Sequence, residues 1–225
     1  MSLESRLASL RAEIARRTPD HWSRNQRQIA ELAASGVADS ALRAGEPAPD
    51  FSLAATTGEI VSLDSLLAGG PAVVSFFRGG WCRFCQAGLT ALDEIRSRLA
   101  GRGVALAGIG PEPQGRAADL ALRLALGFPL LSDHELAVAR LFGITHDLRP
   151  DVADALEQAG VDRSCLVGAW GPRLPLPATY VIGRDGVVAW AFVDPDFTRR
   201  AEPLEVLAAA KRLKAENPAR LNAAR

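Results

Sequence analysis

The chain has 225 residues, 48% of them hydrophobic and 23% charged, with 26 basic residues balanced by 26 acidic ones. That length and composition suit a globular protein with a full hydrophobic core, and zero net charge removes a whole-chain electrostatic case for nucleic acid or an anionic membrane. Three cysteines are too few for a disulfide scaffold, no stretch approaches the ~20 apolar residues that span a bilayer, and the charged N-terminus lacks the apolar segment of a secretory signal. A cytoplasmic protein with no nucleic-acid or membrane partner is therefore expected.

Leu3, Leu7, Leu10 and Ile14 recur at helical spacing, "TPD" at 18–20 interrupts the pattern, and a second helix runs through Trp22, Ile29 and Leu32 to "SG" at 35–36. Residues 1–42 thus form a helical extension that packs on the main domain or on a second subunit. A domain over 43–216 and a tail over 217–225 follow. "RAGEPAPDFSL" opens an extended segment, "TTGEIVSL" a turn and return strand, and "DSLLAGG" a short helical turn. "PAVVSFF" at 71–77 is a buried strand bounded by glycines. Cys85, Leu89, Leu92 and Leu99 then share a helical stripe, and "GVALAGIG" at 103–110 is a second buried strand. "GRAADLALRLALG" is a helix closed by Gly127, "FPLLSD" a short strand, and "ELAVARLFG" a helix with a glycine stop. Residues 145–175 read as irregular or partly helical. "ATYVIG", "RDG" and "VVAWAFV" make strand, turn and strand, and "AEPLEVLAAAKRLK" a closing helix. Strands alternating with helices predict an α/β sheet covered on both faces.

"FFRGGWCRFC" at 76–85 carries Cys82 and Cys85 at the carboxyl end of the first buried strand, where sites of open α/β sheets gather. A thiol must ionise to act as a nucleophile. The first turn of a helix, with unpaired N–H groups and about half a positive charge, favours the thiolate, and Arg78 and Arg83 add positive potential. Residues three apart on that turn can bring their sulfurs together, so one attacks a substrate and the other resolves the intermediate as a disulfide. Gly79 and Gly80 allow a sharp turn and leave room for a substrate. Zinc binding would need two more ligands, and only Cys165 and three scattered histidines are available. Inert core thiols are the other alternative. Cys165 reads as a small buried side chain, with a distant resolving thiol as its rival. His134 and His146 read as surface or capping residues, and Trp81 either packs over the sulfurs or is an ordinary bulky neighbour of the core. In "LPLPATY", Pro177 stands just before a strand facing the pair, where a cis peptide would hold a backbone edge against the sulfurs, and Thr179 follows as a supporting residue.

"APDFSL", "VVSFFRGGWCRFCQAGL", "FPLLSD", "VARLFGI" and "LPATYVIGRDGVVAWAFVDPDFTRRAEP" resemble, in order across roughly residues 45–212, the peroxiredoxin-like branch of the alkyl hydroperoxide reductase/thiol-specific antioxidant (AhpC/TSA) proteins. The resemblance implies a thioredoxin-like fold and a thiol peroxidase without cofactor or metal. A Cys thiolate attacks the peroxide, becomes a sulfenic acid and condenses with a second thiol, and thioredoxin or glutathione restores the pair. A homodimer is possible.

Two alignments of the pair stay open. The PxxxTxxC pattern of peroxiredoxins makes Cys85 the attacking residue, with Cys82 at the Thr position and Arg78 at the Pro position. The WCxxC pattern of thioredoxins makes Cys82 the attacker, with Cys85 resolving and Pro177 matching the cis-Pro. Pro177 also stands where the family usually has an Arg beside the peroxide, so Arg78, Arg83 or Arg199 is expected to substitute. Arg83, where close relatives usually have Pro, is expected to favour the thiolate and make the couple more oxidising. A disulfide oxidoreductase and a redox-sensing interaction module are the rival functions.

Overall fold

The computed structural model describes residues 1–162, 167–168 and 171–213. Cys165 and the expected tail over 217–225 lie outside the described residues. Among the described residues, no helix is long and apolar enough to cross a membrane.

The extension forms two helices, α1 (Leu3–Arg17) and α2 (Pro19–Ala34). The Ser2 side chain caps α1 by accepting from the Ser5 backbone N–H, and Pro19 opens α2, where a missing N–H leaves no bond unmade. The apolar stripe of α1 lies on the main domain: Leu3 and Leu7 are fully buried in its core, with Leu10 and Ile14 packed against it. Burying two leucines stabilises this docking by roughly 3–6 kcal/mol. Bidentate bonds from Arg6 to Glu94 and the Glu4 backbone N–H donated to Glu202 tie the extension down at its rim.

The main sheet begins with β1 (Ser52–Ala55), β2 (Ile60–Ser62) and the short helix α3 (Leu63–Leu67). It continues through β3 (Ala72–Phe76), α4 (Arg83–Ala100), β4 (Ala105–Gly110), α5 (Gln114–Arg123), β5 (Leu130–Ser132) and α6 (Ala137–Leu141). After β6 (Thr145–Asp147), α7 (Pro150–Gln158), β7 (Val167–Gly168) and β8 (Gly171–Pro175), the chain closes with β9 (Ala178–Ile182), β10 (Val188–Val193) and α8 (Pro203–Leu213). Seven strands pair in the order β10-β9-β3-β4-β5-β1-β2. β3, β4 and β5 run parallel, while β9 and β1 flank them antiparallel.

Period-two alternation in these strands builds two cores. Val73, Leu106, Leu130 and Val181 face α1, α4 and α8, while Val74, Ala107, Leu131 and Tyr180 face the opposite side with α3 and α6. A sheet covered on both faces explains why β3 and β9 are buried at every residue. The thioredoxin-like α/β arrangement with N-terminal helices is therefore present.

Two segments depart from the sequence reading. Helix α5 stops at Arg123, with Ala125 at φ 51° turning the chain before Gly127 is reached. Residues 145–175 hold α7 and a small antiparallel sheet in the order β6-β8-β7. Its strands are two to five residues long and include Pro172 and Pro175, so they offer no alternation to read.

Candidate active site

The chain leaves β3 at Phe76 and enters α4 at Arg83, and the intervening loop turns on glycine. Gly79 has φ 149°, and a Cβ there would sit 2.3 Å from the Trp81 indole nitrogen. At Gly80 a Cβ would press on the Glu112 carboxylate and Leu120. A side chain at either position would thus meet Trp81 or Glu112, while Gly80 itself borders a cavity of about 390 Å³. The Gly80 backbone N–H donates to Glu112 Oε1 at 2.8 Å, and its carbonyl accepts from Gln86 and Arg123. Glu112 is itself buried, and burial pushes its carboxyl up from the ordinary value.

Cys82 is the N-cap of α4 and Cys85 the third residue of its first turn, so both sulfurs share the positive end of the helix. Both are buried and unbridged, yet they face different spaces. Cys82 opens on a cavity of about 380 Å³. Cys85 faces a void of about 10 Å³ shared with Thr179 and Arg200, at the lower limit for a single water. Thr179 closes that void from β9, its hydroxyl 3.1 Å from that of Ser75.

Three arginines in the sequence reading take different places. Arg78 is 3% exposed, and its guanidinium lies 3.9 Å from the Phe197 ring centroid and 5.2 Å from that of Trp81. Its backbone N–H donates to Cys85 Sγ at 3.3 Å. Arg83 instead donates to Glu13 of α1 at 2.8 Å, and the arginines that act on the two sulfurs are Arg78 and Arg200. Arg83 lines the Cys82 cavity with its guanidinium paired to Glu13 of the extension. Arg199 pairs with Asp194 at 2.6 Å. Arg200 is the arginine that reaches a sulfur: its Nη2 donates to Cys85 Sγ at 2.8 Å and its Nη1 donates to the Phe197 carbonyl. Asp194 and Asp196 fold the loop that presents it by accepting from Asp196 N and Thr198 N. The sequence signal was the Arg199–Arg200 pair after a turn, which does not say which guanidinium points inward.

The two sulfurs are shifted in opposite directions. The Cys85 thiol donates to the Cys82 sulfur, and with Arg78 and Arg200 this holds Cys82 well below the usual thiol range despite burial. Burial, and the bond it gives to Cys82, push Cys85 well above that range even with Arg200 beside it. Cys85 is the deeper sulfur, and it accepts from both the Arg78 backbone N–H and Arg200.

Other residues are placed as follows. Pro177 is buried just ahead of β9, beside the end of β3, and of the two isomers the sequence left open its peptide bond is trans. Trp81 is half-buried and stands between the Cys82 cavity and one beside Glu112, a wall to the site as well as a core neighbour. His146 is buried, against the expectation of a surface role, and burial lowers its pKa to about 4. His134 hydrogen-bonds the Pro111 carbonyl. Among the described residues, no cluster of three or more His, Cys, Asp or Glu side chains could hold a metal.

A dithiol at the strand-to-helix corner of a thioredoxin-like sheet is suited to thiol redox chemistry. The model of the AhpC/TSA family matches residues 44–191. Peroxidoxin BcpB from Mycobacterium tuberculosis superposes with a TM-score of 0.60 at 23% identity, over 76% of this chain and 98% of that one. Xanthomonas campestris peroxiredoxin Q gives 0.55 at 16% identity, over 74% and 90%. A mutant of peroxiredoxin 6 from Arenicola marina gives 0.60 at 18% identity, over 78% and 76%. No curated protein sequence matches the chain. The chain belongs to the AhpC/TSA family and is an oxidoreductase of the thiol peroxidase kind. The family match begins at residue 44, so α1 and α2 lie outside it.

Proposed function

We propose that Cys82 reduces hydrogen peroxide or an organic hydroperoxide and that Cys85 resolves the product. The Cys82 thiolate attacks the nearer peroxide oxygen, the O–O bond breaks, and the departing alkoxide or hydroxide takes a proton and leaves as alcohol or water. Cys82 is left as a sulfenic acid. The Cys85 thiol then displaces water from it and forms the Cys82–Cys85 disulfide, and a thiol reductant, thioredoxin or glutathione, returns both sulfurs to the reduced state.

The observation that carries this assignment of roles is the access of the two sulfurs. Cys82 opens on a cavity of a size to admit a small molecule, and Cys85 does not. The low pKa of Cys82 supports the same order. Arg78 supplies the positive charge that a developing oxyanion needs.

The test is a single turnover with one equivalent of peroxide, followed by thiol counting and peptide mapping. Loss of two thiols into a Cys82–Cys85 disulfide at a rate far above that of a free thiol supports the proposal. A rate equal to that of free cysteine, with fast exchange on a protein disulfide substrate instead, favours a disulfide oxidoreductase.

A further inference from the structure

The Cys82 cavity has a charge imbalance that depends on the redox state of the pair. Arg78 lines it, is 97% buried by the measure of its 3% exposure, and has an Nε with no hydrogen-bond partner. Trp81 lines the same wall, its buried and unpartnered indole nitrogen lying against Gly79. His21 and Asn25 of α2 line the opposite side, and among the described residues no Asp or Glu side chain reaches the cavity. Burial and Arg200 oppose the Arg78 charge while Cys82 and Cys85 favour it, so the anion that offsets it comes from the sulfur pair. When the two sulfurs join, that anion disappears. A buried guanidinium is left without a counter-charge, which is a costly state.

We propose that disulfide formation unmasks a site for a small carboxylate beside Arg78, and that the physiological reductant is a low-molecular-weight thiol bearing such a carboxylate. This rests on the peroxidase reading above only for how the disulfide arises. Two observations join here. The charge calls for an anion with acceptor atoms, matched by the donors of the buried Arg78 guanidinium. The shape calls for a small molecule: the cavity lies within the size range of small-ligand pockets. It is walled by Ile14, Thr18, His21 and Asn25 of the extension. A folded protein would have to lift α1 and α2, with Leu3 and Leu7 drawn from the core, to bring its own sulfur to Cys82.

The reductant's thiolate attacks Cys82 Sγ, the Sγ–Sγ bond breaks, and Cys85 leaves with the electron pair and takes up a proton. A second thiolate attacks the reductant's sulfur in the mixed disulfide, and Cys82 departs as the thiolate. Two small thiols are oxidised to one small disulfide, and one protein disulfide is reduced by two electrons. The restored thiolate re-pairs Arg78, which expels the product's carboxylate.

The test uses the full chain with its disulfide formed by diamide, so that no peroxide chemistry is required. Failure of the peroxidase reading would show as inertness to peroxide and would leave this measurement intact. Reduction is followed with 3-mercaptopropionate, 2-mercaptoethanol and cysteamine, which are anionic, neutral and cationic, each rate being expressed per thiolate. We expect the anionic thiol to outpace the cationic one at least tenfold, propionate to inhibit the anionic thiol saturably, and His21→Asp to flatten or invert the order. If His21→Asp fails to fold, the propionate competition on the wild-type chain decides. Equal rates for the three thiols, no inhibition by propionate, or faster reduction by thioredoxin than by 3-mercaptopropionate at equal concentration would overturn the proposal.

Discussion

Arg200 Nη2 lies 2.8 Å from Cys85 Sγ, although 115 residues separate them. The contact joins the loop before α8 to the first turn of α4, on the side of the sulfur pair away from the cavity. It places a positive charge where Cys85 must lose its proton as the disulfide closes. A hydrogen bond to a charged group contributes about 1.5–3 kcal/mol, so Arg200→Met slows disulfide closure by about ten- to a hundredfold. Peroxide attack at Cys82 changes less. Rapid quenching with an alkylating agent after a pulse of peroxide separates the two steps. Unchanged closure in the variant would remove Arg200 from the resolving step.

Glu112 holds the loop that carries Cys82 by accepting from Gly80 N, but its second oxygen is buried without a partner. Burial pushes its carboxyl up. A group whose pKa is higher folded than unfolded favours the fold while protonated, and that advantage is lost as pH rises through the folded value. The ionised carboxylate therefore weighs against the fold at neutral pH. Glu112→Gln keeps an acceptor for Gly80 and removes the charge. The variant is expected to melt above the wild type near neutral pH, and the gap to close as pH falls below the ordinary value of 4.5. Thermal melts across that range check the sign; a gap that widens on acidification would contradict it.

Arg83 is the first residue of α4, a position where proline is well tolerated, and its guanidinium is turned to Glu13. Arg83→Pro should therefore fold and leave the thiolate's electrostatics nearly intact. The expected change in the reduction potential of the pair is less than about 30 mV, a factor of ten in a two-electron exchange constant. A drop well beyond that, measured against glutathione buffers, would restore Arg83 to the site.

The sequence carried the architecture where periodicity is strong. The stripe of Leu3, Leu7, Leu10 and Ile14, the buried strand before the cysteines and the helix after them all stand as read, because local propensity and burial agree there. The CxxC gave the reacting atoms and the helix terminus beneath them. What was not legible is non-local. Arg200 and Arg199 are identical in type and adjacent, and only the Asp194 and Asp196 turn decides which reaches Cys85. Glu112 follows β4 with no motif to mark it. The contribution of α2 to the cavity, through His21 and Asn25, depends on how the extension docks. The Glu13 partner of Arg83 depends on the same docking, and nearness in sequence to the sulfurs did not predict it.

The account turns on which sulfur meets the peroxide. Cys82→Ser and Cys85→Ser are each treated with one equivalent of peroxide and a sulfenic-acid trap, and the adducts are mapped by mass spectrometry. Cys85→Ser should form the adduct at Cys82 far faster than a free thiol, and Cys82→Ser should react no faster than one. An adduct formed rapidly at Cys85 in the Cys82→Ser chain, with Cys85→Ser inert, would contradict the assignment and reverse the two roles.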